Sequence, residues 1–503
     1  MEQTVKVYGS HDGRDTVVAV ATPYGTGGIA VIRLSGPDAV AIADSVWKGV
    51  RLAEVRSHTM HLGTVTDSDG SALDEAVAAV MRGPRSFTGE DTVEFSVHGS
   101  KWIQREVVRR LVEAGARAAG SGEFSQRAFL NGRIDLAQAE GIADLIGASS
   151  RAAHRLAMTQ LRGEFSSRLD MLRERLVDFA SLLELELDFS EEDVTFADRD
   201  RLRALADEII ALLRRLVASY ASGRAFKEGV PVVIAGAPNA GKSTLLNRLV
   251  DDDRAIVSDV PGTTRDVIED TCEIGGVLFR FYDTAGLRDT SDTVENIGIE
   301  RAMDRIRKAA IVLWMVDMSD DVTSQLAAIA AHIRELPETV HFIIGNKSDI
   351  AASTLGKKMY AISAQAACVG KDLVEEMNAI SAKDVCVEKD LGEDIDCGKV
   401  QYFNISAKEG TGVEELCVAM VEKAKRDHDP DTELIVTNAR HHAALKAGLE
   451  SLERAREALD AGISADFIAQ DVRESLHHLG TVTGAVTTDT LLTSIFTRFC
   501  IGK

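Results

Sequence analysis

The apolar positions of this 503-residue chain change period several times, and each change marks a new kind of element. Short apolar runs separated by turn residues come first. "TVVAVAT" from Thr16 and "GIAVIRLSG" from Gly28 predict strands, and "KWIQREVVRRLVEAG" predicts a helix ended by Gly115. From Ile134 the spacing becomes helical. Phe165, Leu169, Leu172, Leu176, Phe179, Leu183 and Leu187 recur at three- and four-residue steps, as do Leu202, Leu205, Ile209, Leu212 and Leu216. Each set forms one helix face, which reads as the core of a bundle. At "GVPVVIAGAPNAGKSTLLNRLV" the pattern switches to strand, loop and helix, and strands alternate with helices to about Lys425. Helical spacing then returns, with Leu445, Leu449, Leu452 and Leu459 on one face. The expected organisation is 1–133 α+β, 134–226 helical, 227–426 inserted α/β, and 427–503 helical again. Insertion of one domain into another is feasible because domain termini tend to lie close together at the surface.

The switch point carries chemistry. "GAPNAGKS", Gly236 to Ser243, fits G-x-x-x-x-G-K-[ST] directly after an apolar strand and at the start of a helix. Gly236 and Gly241 let the backbone curl its N–H groups toward phosphates through Asn239, Ala240 and Gly241. Lys242 suits the β- and γ-phosphate oxygens, Ser243 offers a hydroxyl to Mg²⁺, and Thr244 continues the helix.

Three further stretches select guanine nucleotide. "DTAG" (Asp283, Thr284, Ala285, Gly286) follows the strand "VLFRFY" and suits a γ-phosphate sensor and magnesium shell. "NKSD" (Asn346, Lys347, Ser348, Asp349) follows "VHFIIG". The Asp349 carboxylate can accept from the ring N–H and amine of guanine, a donor pair that adenine lacks. "SAK" (Ser406, Ala407, Lys408) would close the base pocket with backbone N–H groups. Each tetrapeptide alone is common on surface loops, but in this order and at these strand ends they specify a GTPase. Leu287 follows the Asp-Thr-Ala-Gly stretch where Ras-type proteins place a water-orienting glutamine, so the catalytic polar group must come from elsewhere. "PGTTRD" supplies a Gly-Thr-Thr switch in which Thr264 can reach Mg²⁺.

Composition narrows the setting. The net charge of −22 opposes a broad polyanion-binding surface, so any nucleic acid needs a local basic patch or a partner. Six cysteines make no disulfide framework in a chain this long, which points to a reducing, cytoplasmic location. No stretch approaches the roughly 18 apolar residues of a membrane span, and the first residues lack a secretory signal pattern.

The set "GAPNAGKST", "GTTRD", "DTAGLRDTSDTVENIGIERA" and the terminal "CIGK" resembles the MnmE (TrmE) family of tRNA-modification GTPases. "GGIAVIRLSG", "SFTGEDTVEFSVHG" and "GEFSQRAFLNGRIDLAQAEGIADLI" in the first third are similar to it as well. The likeness covers nearly the whole chain, whereas other GTPases share only the central domain. It implies an α+β folate-binding and dimerising N-terminal domain (1–133), a two-part helical domain and an inserted Ras-like P-loop domain.

The resemblance also implies roles for residues. Hydrolysis would need K⁺ and face-to-face pairing of two G domains. The cation would be held by Asn239, Ser258, Val260 and Thr263, within the loop Ser258, Asp259, Val260, Pro261, Gly262, Thr263 and Thr264. Mg²⁺ would be held by Ser243 and Thr264. Glu295 matches the glutamate that orients the attacking water, which accounts for leucine at 287. Arg33, Glu94, Arg133 and Lys503 match positions that contact a tetrahydrofolate derivative (5-formyl- or 5,10-methylene-tetrahydrofolate). Arg133 replaces the family's common lysine. The implied reaction adds an aminomethyl-type (carboxymethylaminomethyl) group at the 5-position of a tRNA wobble uridine. It would use a homodimer and an FAD-containing MnmG/GidA-type flavoprotein in a heterotetramer. A reading of a different class is a potassium-dependent GTPase switch in assembly or signalling, without modification chemistry.

Two stretches resist this assignment. About 56 residues separate Asp349 from Ser406, with an insert at about 350–402 containing two more Ser-Ala pairs, "AISAQ" and "AISAK". Ser406 is preferred because "VQYFNISAKEGTGVEELCVAMVEKAK" reads as a clean strand, loop and helix. Cys368, Cys386 and Cys397 lie in the insert without a C-x-x-C pair, so a surface insertion is expected rather than zinc. At the other stretch, Cys500 has the spacing of a prenylation signal, but Gly502 and Lys503 break that pattern and no membrane attachment is expected. Cys500 remains either a buried structural cysteine or a chemically active thiol.

Overall fold

The computed structural model describes residues 15–188, 199–251, 269–283, 305–336, 339–350, 400–426, 429–430, 433–499 and 502. The chain forms two compact units. One comprises residues 1–146, 157–213 and 443–503, and the other 147–156 and 214–442.

The first unit opens with a seven-stranded sheet. Its strands are β1 (Val17–Val20), β2 (Ile29–Ser35), β3 (Trp47–Lys48), β4 (Thr59–Thr66), β5 (Ala72–Met81), β6 (Thr92–His98) and β7 (Arg117–Ala118), in the order β3-β4-β5-β6-β2-β1-β7. Strict alternation sends Ala30, Ile32, Leu34, Val93, Phe95, Val97, Ala76, Ala78 and Val80 to one face. There they pack with Ile42 and Ala43 of α1 (Ala39–Ser45) and Val107 and Leu111 of α2 (Lys101–Glu113). α2 ends as its sequence predicts, with Gly115 at φ 118°. The opposite face aligns Met60 with Ala79, Leu62 with Val77, Val77 with Ser96 and Arg33 with Glu94. Its β1 end is covered by α3 (Glu123–Leu130), which lays Phe124 on Val17 and Ala19.

Helices follow: α4 (Leu136–Gly147), α5 (Arg151–Leu161), α6 (Glu164–Asp188), α7 (Arg199–Ala218) and α8 (Tyr220–Glu228). In α6 the predicted stripe is buried from Phe165 through Leu183. In α7 the expected line is corrected: Leu212 is 36% exposed, and the buried line is Leu202, Ala206, Ile209, Leu213 and Leu216. Both lines step by threes and fours, so spacing alone does not separate them. The small Ala206 hides the true one, since an alanine adds little apolar signal. Near the end of the chain come α12 (Ala439–Asp460), α13 (Ala465–Thr483) and α14 (Asp489–Phe496). Leu445, Leu449, Leu452 and Leu459 of α12 are buried as predicted. α13 lies beside α6, and Ser475 of α13 donates to the Gly448 carbonyl of α12 at 2.8 Å.

The second unit is built on a six-stranded sheet. It contains β8 (Val230–Gly236), β9 (Glu269–Ile274), β10 (Val277–Asp283), β11 (Ile311–Asp317), β12 (Val340–Asn346) and β13 (Val400–Asn404), ordered β13-β12-β11-β8-β10-β9. All pairs are parallel except β9 with β10. Parallel strands need crossovers, and among the described residues α9 (Lys242–Asp251), α10 (Val322–Glu335) and α11 (Val413–Lys425) cover the two faces. A strand covered on both faces reads as a continuous apolar run, and every residue of "IVLWMVD" in β11 is buried. Among the described residues, no helix is long and apolar enough to cross a membrane.

Candidate functional site

The loop from β8 to α9 has the curl its glycines predict. Gly236 has φ 151°, Gly241 φ 94° and Asn239 φ 64°, a left-handed conformation that asparagine tolerates better than most residues. Neither glycine could carry a side chain. A β-carbon on Gly236 would lie 2.3 Å from the Met315 carbonyl, and one on Gly241 would lie 2.2 Å from Asn346 Nδ2. The Lys242 ammonium spans the loop, donating to the Gly236 carbonyl at 3.0 Å and the Ala237 carbonyl at 2.8 Å. Ser243 and Thr244 are exposed in the first turn of α9.

Asn346 joins three loops. Its Nδ2 donates to the Ala240 carbonyl at 2.8 Å, and its Oδ1 accepts from the Ala407 N–H at 2.9 Å. The Ser406 hydroxyl donates to Asp349 Oδ1 at 2.8 Å, and the Ser348 N–H donates to the Ile405 carbonyl at 3.2 Å. The phosphate loop, Asn346–Asp349 and Ser406–Lys408 therefore meet at the carboxyl ends of β8, β12 and β13, where open α/β sheets bind ligands. Ala407 is buried and Lys408 exposed.

Sequence reasoning passed over the groups that hold this joint. Asp317, buried at the end of β11, pairs with Lys347 Nζ at 2.5 Å and accepts from Ser319 N–H and Oγ–H at 2.9 and 2.6 Å. Burial alone would raise the Asp317 pKa, but the hydrogen bonds from Lys347 and Ser319 outweigh it and hold the carboxyl below its ordinary 3.8. Tyr402 of β13 fills the space over Gly345, and burial pushes its hydroxyl up to about 12. Arg248 of α9 donates to the Glu409 carbonyl at 3.1 Å, just beyond Ser406–Lys408. One signal was available: Asp317 is the lone charge ending an otherwise apolar parallel strand.

The first unit gathers a second constellation. Arg33 and Glu94 face each other across β2 and β6, with Arg33 Nε 2.7 Å from Glu94 Oε1. Each is thus the other's partner, as well as a candidate for a ligand. The Arg33 guanidinium lies 5.4 Å from the Phe87 ring centroid and 5.6 Å from that of Phe124, so two aromatic rings hold it. Arg133 is exposed, with its side chain beside Gly89. α3, which carries Phe124, is fixed by a network around the buried Arg127 that sequence reasoning missed. Arg127 pairs with Asp15 at 2.6 Å, Glu123 at 3.0 Å and Glu90 at 3.2 Å. Glu90 also accepts from the Ser35 hydroxyl at 2.7 Å.

The chain's tail reaches this neighbourhood. Gly122, at the start of α3, would clash with the Phe496 carbonyl and the Phe499 ring if it carried a β-carbon. Gly502 is buried at φ 94°, and a β-carbon there would lie 2.2 Å from the Val20 carbonyl at the end of β1. Val20 lies next to Ala19, the register partner of Arg33. Lys503 and Cys500 themselves fall outside the described residues, as do Ser258–Thr264, Thr284–Gly286, Glu295 and residues 351–399 of the insert expected at about 350–402, whose last residues instead begin β13; Asp283 closes β10.

Comparison with known proteins covers both units. A family model described as "MnmE helical domain" matches residues 136–500, and one described as "GTP-binding protein TrmE N-terminus" matches residues 16–133. A tRNA modification GTPase MnmE of Christiangramia forsetii is 44% identical, covering 97% of this chain and 99% of that protein. The MnmE of Bacteroides fragilis is also 44% identical, covering 97% of this chain and 100% of that protein. Among solved structures, the G domain of the T. maritima FeoB iron transporter is 23% identical over 39% of this chain and 99% of its own, with a TM-score of 0.24.

Proposed function

The chain belongs to the MnmE family of tRNA modification GTPases, and from that premise we propose that it is a potassium-dependent, folate-using member of it. The observation that carries the nucleotide part is the Asn346 joint, which ties the phosphate loop to both base-selecting loops. GTP is bound by Asn239–Thr244, Ser258–Thr264, Asp283–Gly286, Asn346–Asp349 and Ser406–Lys408. Lys242 neutralises the phosphates. Ser243 and Thr264 hold Mg²⁺; Asn239, Ser258, Val260 and Thr263 hold K⁺, which offsets charge developing between the β- and γ-phosphates. The left-handed Asn239 at the crown of the loop fits such a ligand. Glu295 orients the attacking water.

The folate part rests on Arg33, Glu94, Arg133 and Lys503. A tetrahydrofolate derivative supplies the one-carbon unit for the 5-position of the wobble uridine. The clamped Arg33 suits a carboxylate or a flat ring, and the docking of Gly502 beside Val20 favours delivery of Lys503 and Cys500 to the same neighbourhood. Residues 1–133 then form the folate-binding and dimerising domain, 134–226 and 427–503 the helical domain, and 227–426 the G domain. The open sheet face supports a homodimer, because Met60 and Leu62 of β4 are each 68% exposed on it. An MnmG/GidA-type flavoprotein completes a heterotetramer on tRNA in the cytoplasm, and the −22 charge of this chain leaves much of the basic RNA surface to that partner.

Two measurements on purified protein test this reading. Titration with 5-formyltetrahydrofolate should show saturable binding, and GTP turnover should rise sharply when K⁺ replaces Na⁺. A protein that binds no folate yet still turns over faster in K⁺ is a potassium-dependent GTPase switch without this chemistry, and equal turnover in both salts removes the K⁺ site assigned to Asn239.

A further inference from the structure

We propose that Asp317 is a positioning residue for guanine recognition, acting through Lys347. The inference rests on the guanine-pocket reading above and adds to it the group that fixes the pocket's lysine. Lys347 lies between Asn346, which is tied to Ala240 and Ala407, and Asp349, which is tied to Ser406. Its backbone is left-handed at φ 65°, an uncommon state for a long side chain, and its ammonium ends on Asp317 at 2.5 Å.

Asp317 is unable to follow a wandering lysine. One carboxylate oxygen is taken up by Ser319 N–H and Oγ–H, and the other by Lys347. The backbone of Asp317 is also bound twice by Gln325 of α10, its N–H donating to Oε1 at 3.0 Å and its carbonyl accepting from Nε2 at 3.3 Å. Register places Asp317 directly opposite Asn346 on β12. The carboxylate is therefore a fixed post at the pocket's floor. With both oxygens committed, it is unsuited to serve as a magnesium ligand or a base.

The consequence concerns entropy. A lysine tethered at both ends presents its four-carbon stem as a ready surface for one face of the purine. An untethered stem regains rotamer freedom that binding must remove again. Asp317→Asn should weaken binding of a fluorescent GDP analogue by about tenfold, and in turnover the loss should fall on the KM for GTP rather than on kcat. Lys347→Met keeps an apolar stem but has no ammonium to tether. In the Lys347→Met background, adding Asp317→Asn should change GDP affinity by less than about twofold, because the partner it acts through is gone.

The same factor in both backgrounds, or unchanged affinity in the single variant, would overturn the proposal and leave Asp317 a turn-stabilising carboxylate. If a melt shows Asp317→Asn to be unfolded, Ser319→Ala carries the test, since it loosens the same carboxylate while keeping its charge. A loss of about threefold that vanishes with Lys347→Met supports the proposal, and an additive loss rejects it. Asp349→Asn tests the pocket separately. It should shift preference from guanine to xanthine nucleotide, and a variant without that shift removes the guanine pocket itself, whatever the coupling between Asp317 and Lys347.

Discussion

The two candidate sites are built in opposite ways. In the second unit, the proposed phosphate contacts are backbone N–H groups of one short loop, and the proposed base contacts come from two loops at neighbouring strand ends that Asn346 ties to it. In the first unit, two of the candidate folate contacts, Arg33 and Glu94, are side chains from separate strands on a sheet face that carries exposed Met60 and Leu62. A backbone site needs glycines at fixed spacing, so it can be read as a motif. A sheet-face site depends on register: Arg33 and Glu94 are 61 residues apart, yet directly opposite across β2 and β6.

The largest effect should separate chemistry from binding in the G domain. Glu295→Ala should lower GTP turnover at least a hundredfold, while binding of a fluorescent GTP analogue stays within about twofold. Lost binding would instead mean a structural role, and the contrast with Lys242, which touches the loop's own carbonyls, would fail.

The sheet-face site should respond next. Arg33→Ala removes a guanidinium held by Glu94, Phe87 and Phe124, and calorimetric affinity for 5-formyltetrahydrofolate should fall tenfold or more, the size expected for a lost charge-assisted hydrogen bond. Unchanged affinity would reduce Arg33 and Glu94 to a surface ion pair. Gly502→Val should act on the same assay through the backbone. Its side chain has no room against the Val20 carbonyl, so the tail must move, and folate affinity should drop several-fold. No loss would detach the tail from the site.

The smallest effect is on pH dependence. The Asp317 carboxyl sits below its ordinary 3.8 in the folded chain, so it contributes stability above that value and loses it as pH falls through the folded pKa. Melting temperatures should therefore converge for the parent and Asp317→Asn at acid pH and diverge toward neutrality. A constant gap at every pH would assign the effect to packing.

The legibility of the chain follows the same division. The α6 stripe was readable because large apolar residues, Phe165, Leu169, Leu172, Leu176, Phe179 and Leu183, line its buried face, whereas α7 misled because Ala206 occupies one such position and Leu212 lies outside. The glycine-bearing phosphate loop declared itself. Its supports did not, because Asp317, Tyr402 and Arg248 act through partners 30, 57 and 161 residues away, respectively. Arg33, Glu94 and Arg133 were found by resemblance, and residue spacing alone would not have joined them. The Arg127 network had no local signature either, since Asp15 lies 112 residues from it.

The central claim is that both sites serve one tRNA modification. Its most direct test is mass-spectrometric nucleoside analysis of tRNA from cells lacking the gene and complemented with the parent chain, Glu295→Ala or Arg33→Ala. The 5-substituted wobble uridine should return with the parent chain alone. Full modification in the uncomplemented strain, or with both variants, would contradict the account.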